Sequence, residues 1–320
     1  MTELAEPIAI GGLPGEIEIK CPFADETLGV DSIEGEDIAR DDRAAARAQQ
    51  SNNGGVLGAN LESASPGKDG TVGGPYPPPT VEKSPRLDTR RKKLRVRVPG
   101  TATIPEGIYG FTVAAHHLIP GEASLAPSKL KPFMEKGGSV EVVGEKGKKT
   151  KKVRKHIGYN VNGAHNGVWL PGNYYIRSRT SPIKGKTWSA LGDDAWCLHY
   201  VAAVSMAASG QIHDAHKKYS AAVEELLNKI AKILSQHECD QCNKPDINPP
   251  FEIKNRLYNL SRFLKTQLTA PPAAWSRPWF TSDRWRKAAF DAGQPSKEFA
   301  AAYRDAGLVD AISALRMRGR

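Results

Sequence analysis

Ala114-Ala115-His116-His117-Leu118-Ile119-Pro120 ends an apolar run on two adjacent histidines, and the reading of this stretch decides the fold. In a strand, neighbouring side chains point to opposite faces, so one imidazole can hold a metal while the other reaches a substrate water. Two further blocks follow. Asn166 adjoins Gly167-Val168-Trp169-Leu170-Pro171, and Ile212-His213-Asp214-Ala215-His216-Lys217-Lys218-Tyr219 opens a periodic stretch. There Tyr219, Val223, Leu226, Leu227, Ile230, Ile233 and Leu234 recur at steps of three and four, which predicts an amphipathic helix. Extending that stripe backwards lands on His216 and His213, so the helix is expected to carry both at the inner edge of its buried face.

With 320 residues, 39% of them hydrophobic, the chain suits one sizeable core plus appendages. No run approaches the ~18 apolar residues that span a bilayer, and the acidic, Pro/Gly-punctuated start does not read as a signal peptide. The expectation is a protein without membrane insertion, which would need a dedicated carrier to leave its cell. Cys21, Cys197, Cys239 and Cys242 are too few and too unevenly spaced for a disulfide framework, which fits manufacture in a reducing cytoplasm. The net charge of +10 hides an asymmetry: residues 1–80 hold 14 acidic and 5 basic side chains, residues 81–320 hold 21 acidic and 40 basic. A polyanionic partner suits the basic part.

Along the chain, residues 1–80 read as an acidic, partly disordered segment. A helix is possible over Asp37 to Gln50, and Ser51 to Pro79 has the Gly, Ser, Asn and Pro content of a linker. Arg90 to Val98 and Ile108 to Ile119 are strand candidates, and Lys146 to Lys155 reads as a flexible basic loop. Residues 81–245 form the domain that carries the three blocks, with a helical excursion over Ala195 to Ser209. Residues 246–320 form a carboxy-terminal helical extension, with helices expected over Glu252 to Gln267, Asp283 to Ala292 and Ser296 to Met317. Trp275, Trp279, Phe280 and Trp285 read as core packing between them. The fold class is α+β, mainly helical.

Hydrolysis of a phosphodiester needs a nucleophilic water, neutralisation of charge on the phosphate and help for the departing oxygen, and one divalent metal with one general base can supply all three. The three blocks in their order resemble the AHH family, a branch of the HNH or endonuclease VII superfamily of nucleases found among bacterial polymorphic toxins. The resemblance covers residues 108–235 and implies a ββα-metal finger. It implies His117 as the general base, Asn166 as the residue that hydrogen-bonds across the finger and holds that base in orientation, and His116, His213 and His216 as ligands of one divalent ion. Zinc, magnesium, manganese and nickel all remain open, imidazole favouring the transition metals and oxygen favouring magnesium. About forty residues separate Asn166 from His213, a departure from the compact finger that leaves His199 as an alternative ligand.

The same resemblance implies an antibacterial effector that hydrolyses DNA. It would be made in the bacterial cytoplasm, secreted without a signal peptide, delivered into a target cell by a type VI or similar system, and neutralised at home by an immunity protein. Residues 1–80 would dock on the secretion carrier or spike and could mask the basic nuclease face. Two other readings stand beside it: a ribonuclease on the same fold, and a zinc-stabilised nucleic-acid-binding protein without turnover. A second cluster, His237, Cys239 and Cys242, is half of a structural zinc site and reads as an unmetallated turn, because a full site needs four ligands.

Overall fold

The computed structural model describes residues 51–64, 94–144, 147–172, 194–208, 210–236, 246–249, 253–270 and 275–289, with isolated positions 43, 46, 47 and 176. The cluster at His237, Cys239 and Cys242 and the helix expected over Ser296 to Met317 lie outside them, as does most of the stretch from Asp37 to Gln50. The described elements are of the α+β class.

A three-stranded antiparallel sheet, in the order β1-β2-β5, positions the histidine pair. Here β1 is Leu94–Val98, β2 is Gly107–His117 and β5 is Gly167–Gly172. The alternation in Leu94-Arg95-Val96-Arg97-Val98 buries Val96 and Val98 and leaves both arginines in solvent, as a half-buried edge strand requires. On its other side β2 pairs with β5 in a register that sets His116 opposite Val168 and His117 opposite Gly167.

A second sheet joins β3 (Ser139–Gly144) and β4 (Gly147–Val153), antiparallel, to the short parallel β6 (Asp246–Ile247). The segment Lys146 to Lys155 is therefore not a flexible loop. From Gly147 it is a strand whose pattern exposes Lys148 and Lys152 and buries Lys151 and Val153. The lysine-rich composition hid this because long charged side chains on a solvent face are compatible with a strand.

Both faces of the first sheet are covered. One core gathers Val168 and Leu170 of β5 with Leu118 and Ile119, the second sheet's Val140, Val142 and Val153, and two long helices, α4 (Lys217–Gln236) and α5 (Ile253–Thr269). The other gathers Tyr109, Phe111 and Val113 of β2 and Trp169 of β5 with α1 (Gly54–Ser63) and α3 (Asp194–Ala208). Between β2 and β3 lie a π-turn over Gly121–Leu125 and the short α2 (Lys131–Met134). The excursion between β5 and α4 is thus the helix α3, laid on the sheet through Trp196, Tyr200 and Val204. Trp275, Phe280 and Trp285 are buried in the second core, and Trp279 packs edge-on against Phe263. In α4, Tyr219, Val223, Leu227, Ile230 and Leu234 form the buried stripe, whereas Ile233 is 47% exposed.

One expectation from composition gives way here. Ser51 to Ser63 is no linker: Asn53 caps α1 by accepting from the backbone of Gly55 and Val56, and Leu57 and Leu61 are buried. Two leucines on one turn of a polar, glycine-rich segment suffice to seat it, since full burial of each is worth roughly 1.5–3 kcal/mol. At the other end, α5 packs into the same core as α4 and the second sheet. No helix among the described residues is long and apolar enough to cross a membrane.

Asn166 pins this arrangement together. Fully buried, its side-chain oxygen accepts from Ile119 N–H at 2.8 Å and from the Ser261 hydroxyl at 3.1 Å, and its amide donates to the carbonyls of Ile119 and Val161 at 2.9 Å each. All four capacities go to groups that water cannot reach. Asn166→Ala is expected to lower the unfolding free energy by about 3–5 kcal/mol, because it strands several buried partners at once. Urea denaturation checks this, and a loss below about 1 kcal/mol would show that Asn166 does not hold the strands together.

Candidate functional site

Strand alternation sends the two histidines of β2 to different neighbourhoods. His116, 2% exposed, faces the side of Val168 and α4. Its ring lies 5.0 Å from that of His213, 4.9 Å from that of His216 and 5.2 Å from that of Tyr219, centroid to centroid. One nitrogen from each of His116, His213 and His216 lies within 4.8 Å of the others.

His213 and His216 do not sit on the helix. They lie in the loop that enters it, since α4 begins at Lys217. The reason is local bonding: His213 donates its N–H to the Pro171 carbonyl and forms a parallel bridge with Gly172, which demands extended backbone. Asp214 donates to the Thr281 carbonyl, and Asp283 donates its N–H to the Ala215 carbonyl. The Asp283 carboxylate then accepts from the N–H groups of Lys217 at 2.7 Å and Lys218 at 3.1 Å, capping α4 from outside. Asp283 opens α6 (Asp283–Ala289), so a side chain 66 residues downstream fixes where the ligand loop ends and the helix starts.

The donor set fits a divalent cation. His116 Nε2 is buried with no hydrogen-bond partner among the described residues, an expense that a metal ligand explains. Burial holds the His116 imidazole well below the usual histidine range, reinforced by His216, His213 and His117, and burial also lowers His216 against the opposing pull of its backbone bond, Asp283 and Asp214. Both effects favour the neutral form that binds metal. Three imidazoles around one ion at about 2.0–2.1 Å would bring their nitrogens about 3.3 Å apart, within reach by small side-chain rotations. Tyr219 stands beside the cluster, but its buried hydroxyl donates to the Leu118 carbonyl at 2.6 Å, and burial pushes its pKa well above the usual phenol value. It braces the end of β2. An open concavity lined by His213, His216, Lys217, Ser220 and Ala123 leads to the cluster.

His117 faces the opposite side, towards α1. Its Nε2 lies 2.9 Å from the side-chain oxygen of Asn162, not of Asn166. The side chain that contacts His117 thus belongs to a residue that the motif blocks do not contain, while Asn166 fixes the backbone that follows His117, and that of Val161, through Ile119, Val161 and the Leu118 N–H. Burial lowers the His117 pKa, while the bond to Asn162 and the charge of Glu122 raise it in part. The net effect is a lowered pKa, which favours the neutral form of the imidazole. Asn162 carries no spacing signal in the sequence, and only its place in an Asn160-Val161-Asn162-Gly163 turn hints at a fixed polar side chain.

Other histidines lie apart. His165 packs between Tyr159 and Tyr258 at 5.2 and 4.6 Å, and His199 is carried on α3, outside the three-histidine cluster.

Residues 102–255 match the sequence model of AHH, a nuclease family of the HNH/ENDO VII superfamily with conserved AHH. No curated protein and no solved structure gives a match. The matched span, just under half of the chain, holds His116, His117, Asn162, Asn166, His213 and His216, and it is over this segment that the protein matches the AHH family of nucleases.

Proposed function

We propose that this protein is a metal-dependent endonuclease that hydrolyses DNA, with His117 as its general base. The observation that carries the reading is the division at the end of β2: His117 hydrogen-bonded to Asn162 on one face, and on the other His116 in a cluster with His213 and His216. His117 takes the proton from the attacking water while Asn162 holds its ring. His116, His213 and His216 would hold the ion, three protein ligands being the number common to catalytic sites. Such an ion supplies charge neutralisation at the scissile phosphate and assistance to the leaving oxygen. Imidazole ligands suit zinc, nickel or manganese better than magnesium.

The strands β2 and β5 followed by α4 have the order of a ββα-metal finger, with α3 inserted before the ligand loop. Attack by an activated water needs no sugar 2′-hydroxyl, so the chemistry is open to DNA as well as to RNA. Lys217 at the edge of the concavity, and the exposed lysines of β4, offer cations to a phosphate backbone. The contrast between acidic residues 1–80 and the basic remainder supports a wider reading. In it the protein is an antibacterial effector, made in the cytoplasm, loaded on a secretion carrier or spike through its amino-terminal segment and held in check by an immunity protein.

Supercoiled plasmid incubated with the full chain should be cleaved in a divalent metal and spared by chelator. His117→Ala should slow cleavage about 10²–10⁴-fold, the usual contribution of a general base, while DNA binding persists. Undiminished cleavage by that variant would remove His117 from the role. Degradation of RNA alone would make the enzyme a ribonuclease, and no cleavage of either polymer would favour a binding protein. Separately, His116→Ala and His213→Ala should each reduce metal retained after dialysis from about one ion per chain to a small fraction of that, read by elemental analysis. Full retention in both variants would place the metal elsewhere.

A further inference from the structure

The base's partner is itself held from outside the family segment. Asn162 uses every polar group it has. Its side-chain oxygen accepts from Asn53 N–H at 2.8 Å as well as facing His117, its amide nitrogen donates to the Ser51 carbonyl at 2.8 Å, and its backbone carbonyl accepts from the Asn60 amide at 2.8 Å. Its own N–H donates to the Asn160 side chain at 2.9 Å. Three of these five contacts come from residues 51–60, which precede the matched span of 102–255.

Those contacts decide a proton. Asn53 N–H can only donate and the Ser51 carbonyl can only accept, so the Asn162 amide cannot flip. With its oxygen fixed toward His117, Nε2 of that ring must carry the hydrogen, and the lone pair lies on Nδ1.

The segment is seated for this task. Gly167 is the residue paired with His117 across the sheet, and a Cβ there would meet Leu57 at 2.7 Å and Leu61 at 3.0 Å. The absent side chain opposite the base leaves the room that α1 occupies. Asn52 adds a further tie by accepting from Gly121 N–H at 2.8 Å, just beyond the histidine pair.

We infer that Asn162 is a positioning residue that fixes the Nε2–H tautomer of His117, and that residues 51–64 form part of the active site by holding Asn162 in place. The inference rests on the reading of His117 as general base. It implies that the catalytic motifs alone are insufficient: a chain keeping every motif but with α1 displaced would leave the base free to adopt the unproductive tautomer.

The test uses the full-length chain labelled with ¹⁵N-histidine. Two-bond ¹H–¹⁵N spectra report the tautomer of each ring, and His117→Ala identifies the signals of His117 by their loss. The unsubstituted chain should show His117 as the Nε2–H form. Asn162→Ala, and separately the undocking pair Leu57→Glu with Leu61→Glu, should give a mixture of tautomers. In both, kcat on plasmid should fall at least tenfold with KM little changed. Asn162→Asp keeps the acceptor and should retain the tautomer and a larger share of kcat than Asn162→Ala. Should the leucine pair fail to fold, Asn162→Ala still decides. An unchanged Nε2–H tautomer in Asn162→Ala overturns the inference whatever the activity, whereas altered tautomers with undiminished cleavage by His117→Ala would overturn the general-base reading and leave the clamp standing.

Discussion

A β-strand turns successive side chains to opposite faces, and at the carboxyl end of β2 that constraint sends two adjacent histidines into two different packing environments. Tyr109, Phe111, Val113 and Ala115 share the His117 face and belong to the core that holds α1 and α3. The His116 face meets Tyr219 and the ligand loop, beside the core built from α4, α5 and the second sheet. A sheet covered on one side only would leave one imidazole in solvent. Covering both faces gives each ring its own set of neighbours, so two imidazoles that are consecutive in the chain can be tuned separately.

The ligand loop shows the same economy. Two histidines three apart on a helix would share a face, but a helix axis lies a full packing distance above a sheet. His213 instead joins the edge of β5 through its bridge to Gly172, which brings it to the level of His116. His216 immediately precedes α4 and reaches the cluster from the helix side. Asp283 makes this possible by satisfying the exposed N–H groups that such an abrupt helix start leaves behind.

Much of the centre was legible in the sequence because its residues lie in three short blocks. The doublet at 116 and 117, Asn166, and the histidines at 213 and 216 all carry a pattern that strand alternation or spacing can read. What escaped has a common cause: the supporting contacts span 66 residues for Asp283, 109 for the Asn53–Asn162 bond and 111 for Asn162–Ser51. Nothing local marks them. The glycine and asparagine content of Ser51 to Gly55 reads as a linker because those residue types bury little surface. Their function here is backbone and amide hydrogen bonding, which composition does not register. The periodicity predicts a helical start at His213 for a related reason: a periodic stripe extrapolates smoothly past the point where a distant carboxylate ends it.

The boundary of a catalytic motif and the boundary of a catalytic unit therefore differ. The span 102–255 contains His117, its direct partner Asn162 and the three clustered imidazoles. The groups that remove freedom from them come from either side: Ser51, Asn53 and Asn60 before it, Ser261, Thr281 and Asp283 after it. A neutral imidazole can place its proton on either nitrogen, and a loop of four residues can adopt many shapes, so reactive residues without those restraints would be present but not arranged. Order in this site is imposed by the flanking segments, and the chemistry they order is concentrated in between.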